Sequence, residues 1–133
     1  VLLGDLAFLH DLGGFEAACN LRAPLTAVVV QNGGGGIFDH LPISEHPTAF
    51  ERFFITERKA SISGLCEALG ARHILVDEGD AISRAVAREI EKPVPSVIEV
   101  RVDRRDSLAR HEQAWRAVAN EFEGRPVGGE APL

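Results

Sequence analysis

The chain alternates short, densely apolar runs with stretches whose apolar positions recur every three or four residues. Val1-Leu2-Leu3 is β-compatible and is broken by Gly4-Asp5. Leu6 to Cys19 reads as one broken helix or two short ones, interrupted at Gly13-Gly14. After Pro24, Leu25 to Val30 shows no alternation, the pattern of a strand covered on both faces in a parallel sheet. Asn32 and four successive glycines, Gly33 to Gly36, end that run.

Residues 37–60 predict a loop with a short helix near 49–54, carrying Phe50, Phe53 and Phe54. Ile62, Leu65, Cys66 and Leu69 share one helical face, and Gly70 stops that helix. Ile74-Leu75-Val76 forms a short strand, and Asp80 is a candidate N-cap for a helix presenting Ile82, Val86 and Ile90 before Pro93. Ile98, Val100 and Val102 alternate with Glu99 and Arg101, which predicts a strand with one exposed face, nearer the sheet edge than residues 25–30. A last helix over about residues 105–123 carries Leu108, Trp115, Ala119 and Phe122, with Trp115 expected to anchor the core. Residues 124–133, rich in Gly and Pro, predict a flexible tail. Strands alternating with helices give a doubly wound α/β fold over residues 1–123, its sheet mostly parallel with helices on both faces.

Composition narrows the function. At 133 residues with 45% hydrophobic and 26% charged positions, the chain suits one domain with a real core and does not read as disordered. The formal net charge is −6, the wrong sign for gripping a nucleic-acid backbone. No apolar run reaches the ~20 residues of a membrane span and no basic n-region with a cleavage site indicates secretion, so the expected location is cytoplasmic. Cys19 and Cys66 fit no metal spacing and read as buried, reduced thiols. The chain has no methionine and opens in mid-strand, which predicts a piece of a longer protein.

In a parallel sheet, ligands bind beyond the carboxyl ends of the strands, where two polar breaks fall here. Asp5 offers a carboxylate, Asn32 a neutral amide oxygen, and Gly33 to Gly36 bare backbone carbonyls and N–H groups. Such an all-oxygen set suits Mg²⁺ or Ca²⁺ rather than zinc, and a magnesium ion commonly shares its remaining positions with phosphate oxygens. The composite reading is a site for a metal-bridged diphosphate, set against a plain strand end and a permissive glycine loop. The run Gly33-Gly34-Gly35-Gly36-Ile37-Phe38 lacks the last glycine of a dinucleotide fingerprint.

The pairing of Gly4-Asp5 with Asn32, after 26 intervening residues, resembles the thiamine diphosphate enzyme superfamily. Gly4 to Leu12, Val29 to Phe38, Leu41-Pro42 and Phe50-Glu51-Arg52-Phe53-Phe54 are similar to one branch, the MenD synthases of menaquinone biosynthesis. The resemblance covers about residues 1–122 and implies the C-terminal, diphosphate-binding domain of a longer enzyme. It implies Asp5, Asn32 and the Gly34 carbonyl as ligands of Mg²⁺, or of Mn²⁺ or Ca²⁺. Gly4, Leu6 and Ala7 would line the diphosphate through their backbone, with Gly35 nearby, while Ile37 and Phe38 would wall the thiazolium ring. Where the family usually carries further asparagines beside Asn32, this chain has Gln31 and Gly33.

A synthase of this branch decarboxylates 2-oxoglutarate and adds the resulting carbanion to isochorismate. The activating glutamate and the arginines reading the substrate carboxylates are expected in other domains of the same enzyme, a homodimer or homotetramer at full length. No catalytic residue is identified in this chain, which alone is expected to be inactive. Two alternatives stand beside it: the equivalent domain of an acetolactate-synthase-like enzyme, and a non-catalytic α/β module with a vestigial motif. His40 receives no role, and His10, His46, His73 and His111 show no ligand spacing and are expected at or near the surface.

Overall fold

A computed structural model of the chain describes residues 1–57, 59–77 and 79–123, so the tail expected at 124–133 lies outside the described residues. Strands β1 (Leu2–Gly4), β2 (Thr26–Gln31), β3 (Arg72–Val76) and β4 (Ser96–Arg101) form one sheet in the order β1-β2-β4-β3. All three pairings are parallel. The connecting helices are α1 (Asp5–His10), α2 (Leu12–Asn20), α3 (Pro47–Phe53), α4 (Ile62–Ala68), α5 (Gly79–Glu89) and α6 (Arg104–Glu123), with two 3₁₀ turns at Gly36–His40 and Pro42–Glu45.

The sheet is covered on both faces, as the uninterrupted apolar run of β2 requires. On one face Ala27, Val29 and Val97 pack with Phe8 and Phe15 of α1 and α2 and with Ile62 and Cys66 of α4. On the other, Val76, Ile98 and Val100 pack with Ala85 of α5. Successive residues on a strand face opposite sides, so Val97 and Ile98 enter different cores. Burial pushes the Cys66 thiol up to about 11, with Cys19 and Glu99 adding to it, so it stays protonated and packs as a small apolar group. Ser61 caps α4, its Oγ accepting the Gly64 N–H at 3.1 Å.

Five expectations are corrected. β4 is central rather than near the edge, paired with β2 from Thr26↔Ser96 to Gln31↔Arg101 and with β3 from Arg72↔Ser96 to Val76↔Val100. Its alternation has another cause: Glu99 is buried, with His73 Nε2 at 2.8 Å and Arg101 Nε at 3.1 Å. An ion-paired buried carboxylate reads in sequence like a solvent-facing position. His73 is accordingly half-buried. The break between the first helices falls at Asp11, and Gly13 and Gly14 lie inside α2. A Cβ on Gly14 would stand 3.0 Å from the Asp11 side-chain Oδ1 at this break.

α5 begins at Gly79, so Asp80 lies within its first turn instead of capping it. Its inward face runs through Ala81, Ile82, Ala85, Val86 and Glu89, leaving Ile90 exposed. Glu89 takes the inward place because Arg72 of β3 donates to it twice, at 2.8 and 3.1 Å. Trp115 is 71% exposed and anchors no core. Apolar spacing defines a stripe on α6 but not what covers it. That helix packs on the 3₁₀ turn at Gly36–His40, where Trp115 stacks on His40, while Val118 and Phe122 stay exposed.

Candidate functional site

β1 and β2 are adjacent and parallel, with Gly4 level with Val30, so Asp5 and Asn32 leave the sheet at the same carboxyl edge. Asp5 is the first residue of α1 and is buried; its Oδ1 accepts the Leu6 N–H at 2.8 Å. Asn32 follows β2 directly, and its Oδ1 accepts the Gly34 N–H at 3.0 Å, closing the turn that starts the glycine run.

Gly33, Gly34 and Gly35 have φ of +84°, +87° and +67°, a left-handed run that suits glycine alone. Their surroundings differ. A Cβ on Gly34 would stand 2.3 Å from the Thr56 carbonyl oxygen, and one on Gly35 2.6 Å from that of Phe54. The loop is therefore pressed onto residues 54–56. The same Gly34 Cβ would lie 3.5 Å from Leu6 Cδ2, which brings the loop against α1. At Gly4 and Gly33 a Cβ would meet nothing within 4 Å. Two glycine positions thus leave open room beside Asp5 and Asn32, while Gly34 and Gly35 fix the backbone between them.

Gly36 opens the 3₁₀ turn carrying Ile37 and Phe38. Ile37 projects into solvent, whereas Phe38 is half-buried and meets Phe54 edge-to-face, ring centres 5.6 Å apart. Phe54 in turn stacks on Phe50 at 6.1 Å. Ala7 is exposed on α1. A cleft of about 470 Å³ opens beside Asn32 and Gly33, lined on its far side by Ile55, Arg104 and Arg105.

Sequence reasoning missed the support of this turn. Arg104 Nε lies 3.1 Å from Asp39 Oδ2, Arg104 Nη2 donates to Glu51, and the guanidinium sits 5.7 Å over the Phe50 ring. The Arg104–Asp39 approach is an ion pair out of line for a hydrogen bond, so Asp39 Oδ2 is buried without a donor. Burial pushes the Asp39 carboxyl up, against the pull of Arg104. No spacing signal links these residues, which come from separate elements.

The model of the thiamine pyrophosphate enzyme family, C-terminal TPP binding domain, matches residues 1–100. The chain belongs to that family. Among its relatives, the 2-succinyl-5-enolpyruvyl-6-hydroxy-3-cyclohexene-1-carboxylate synthase of Synechococcus sp. (strain JA-3-3Ab) is 39% identical over 86% of this chain. Those of Myxococcus xanthus and Geobacillus kaustophilus are 38% and 36% identical over 90% and 92% of the chain. The chain spans only 19–21% of the length of these three.

Two solved structures share the fold, each covering 77% of this chain at a TM-score of 0.64. They are the thiamine diphosphate-dependent 4-hydroxybenzoylformate decarboxylase of Rhodococcus jostii RHA1, at 20% identity, and the benzoylformate decarboxylase of Polynucleobacter necessarius, at 22%. For a TPP-binding domain, the donor set at the sheet edge is chemically suitable. One carboxylate, one amide oxygen and backbone carbonyls are hard ligands for a magnesium-like ion, and an added Cβ at Gly4 or Gly33 would meet nothing within 4 Å. Among the described residues no three His, Cys, Asp or Glu side chains come together.

Proposed function

We propose that residues 1–123 are the cofactor-anchoring domain of a 2-succinyl-5-enolpyruvyl-6-hydroxy-3-cyclohexene-1-carboxylate synthase acting in menaquinone biosynthesis. The observation that carries the reading is the delivery of Asp5 and Asn32 to one sheet edge on adjacent parallel strands, with open space at Gly4 and Gly33. Asp5, Asn32 and the Gly34 carbonyl hold Mg²⁺, with Mn²⁺ or Ca²⁺ as substitutes of the same oxygen-ligand chemistry. Gly4, Leu6, Ala7 and Gly35 line the diphosphate; the Leu6 N–H already serves Asp5, so Leu6 contributes by position. Phe38, and Ile37 exposed beside it, would wall the reactive ring of the bound cofactor. When bound, thiamine diphosphate supplies the electron sink for decarboxylating 2-oxoglutarate and passing the succinyl unit to isochorismate.

This chain's residues therefore anchor and orient, and the groups that touch the substrates come from other domains of the full-length protein. The full-length enzyme is a cytoplasmic homodimer or homotetramer on this reading; among the described residues no helix is long and apolar enough to cross a membrane.

The test uses the full-length protein. Asp5→Ala and Asn32→Ala are each expected to weaken Mg²⁺-dependent thiamine diphosphate binding at least about tenfold by calorimetry, given the charge and ligand lost. Unchanged affinity in both variants would remove the metal assignment. Turnover of 2-oxoglutarate with isochorismate is expected, whereas turnover of pyruvate alone would favour an acetolactate-type enzyme. Absence of cofactor binding in the unmutated protein would leave a vestigial module.

A further inference from the structure

We propose that Arg104 is a positioning residue for the wall formed by Ile37 and Phe38, an inference that rests on the cofactor site proposed above. Arg104 is the first residue of α6, directly beyond the loop that follows β4, so the central strand fixes its backbone. Its side chain is only 24% exposed, and that of its partner Asp39 only 11%. From this place it reaches two other elements. The guanidinium pairs with Asp39, the residue after Phe38 on the 3₁₀ turn, and with Glu51 on α3. Its face lies over Phe50, which stacks on Phe54, which meets Phe38 edge-to-face.

The turn is thus held from both sides of Phe38: through charge at Asp39 and through the aromatic chain at Phe54. The backbone preceding it is already fixed, because Gly34 and Gly35 press on the carbonyls of Thr56 and Phe54. That leaves the Ile37–Asp39 end as the part whose position depends on Arg104. Only a planar fork serves both carboxylates and lies flat on an aromatic ring; an ammonium at the same place is a point charge that serves one partner at a time. Asp39 makes the arrangement sensitive. Its Oδ2 has no hydrogen-bond donor and depends on the neighbouring guanidinium charge, so removing Arg104 leaves a buried carboxylate unpaired beside the cofactor wall.

The experiment compares Arg104→Gln, Arg104→Lys, Asp39→Asn and the double variant Asp39→Asn/Arg104→Gln in the full-length protein. Calorimetry of thiamine diphosphate with Mg²⁺ is run well below each melting temperature. Arg104→Gln is expected to raise the cofactor Kd about tenfold, and Arg104→Lys to fall between it and the unmutated protein. The double variant is expected to recover part of the affinity, because it removes the unpaired carboxylate but does not restore the contacts of Arg104 with Glu51 and Phe50. A generic loss of stability would lower the melting temperature without producing this recovery in Kd. Where Arg104→Gln does not fold, Arg104→Lys alone and with Asp39→Asn gives the same comparison.

A folded Arg104 variant with unchanged Kd, or a double variant no better than Arg104→Gln, overturns the proposal. Asp5→Ala in parallel separates the two failures. If Asp5→Ala weakens binding while Arg104→Gln leaves the Kd unchanged, the positioning role alone fails; if neither changes binding, the cofactor site fails and the positioning role with it.

Discussion

Glu89 and Asp39 are both carboxylates with little exposure, yet their surroundings push them in opposite directions. Glu89 receives two N–H donors from Arg72 and a third from Arg88 Nε at 3.2 Å, and the Arg72 hydrogen bonds hold its carboxyl below the usual range against burial. Asp39 has one arginine out of line and Glu51 nearby, so burial wins and raises it. The number of aligned donors, rather than depth, decides the sign. Because the Glu89 carboxyl is lower in the folded than in the unfolded chain, its contribution to stability is complete above the ordinary carboxylate range. It is lost as pH falls through the depressed folded value. Glu89→Gln is expected to cost about 2 kcal/mol near neutral pH, toward the low end for a buried pair because Arg72 is half exposed. The same variant should flatten the acid limb of stability against pH, measured by denaturant unfolding at a series of pH values. An acid limb as steep as that of the unmutated protein would contradict this role.

The glycine loop shows how an element holds what single residues only suggest. Gly33 and Gly34 share a left-handed φ, +84° and +87°, but only Gly34 stands against backbone, 2.3 Å from the Thr56 oxygen for an added Cβ. Gly33→Ala is therefore expected to cost about 1–2 kcal/mol of conformational strain alone. Gly34→Ala adds a clash that no rotamer relieves, for a total of about 3 kcal/mol or more and a displaced loop. Thermal melts and cofactor titration of the two variants check the order, and equal effects would mean that residues 54–56 do not support the loop. Much of this site was legible in sequence: an alternation-free strand has to be buried on both faces, so its polar end at Asn32 has to emerge at the sheet's carboxyl edge. The support at Phe54–Thr56 was not legible, since contact between two irregular segments leaves no periodicity. β4 and α5 misled for a related reason. Glu99 and Glu89 look solvent-facing until their partners His73, Arg101 and Arg72 are known, and those partners are set by strand order and packing.

At the scale of the molecule, the two cores are closed around the sheet, while the large apolar side chains left exposed include Val1 and Leu2 at β1 and Trp115, Val118 and Phe122 on α6. Full burial of a large apolar side chain contributes about 1.5–3 kcal/mol, so α6 leaves several kcal/mol unrealised in this 133-residue chain. The chain also spans about a fifth of the length of these relatives. The sole tryptophan of the sequence sits on the open helix and reports on it directly. Trp115 is 71% exposed, with the His40 ring stacked 6.5 Å away at 9° between planes, and His40 itself meets His111 at 5.1 Å. In the 133-residue chain its fluorescence is expected to be that of a water-exposed indole, readily quenched by acrylamide. His40→Ala is expected to change its intensity by removing the stacked ring. The far ultraviolet signal should stay the same, because His40 is exposed and contributes to neither core. A blue-shifted, quencher-resistant emission would place the indole against the body of the domain. In that case the apolar spacing along α6 would have marked a core stripe after all, and the helix would pack along more of its length than its contact with the 3₁₀ turn.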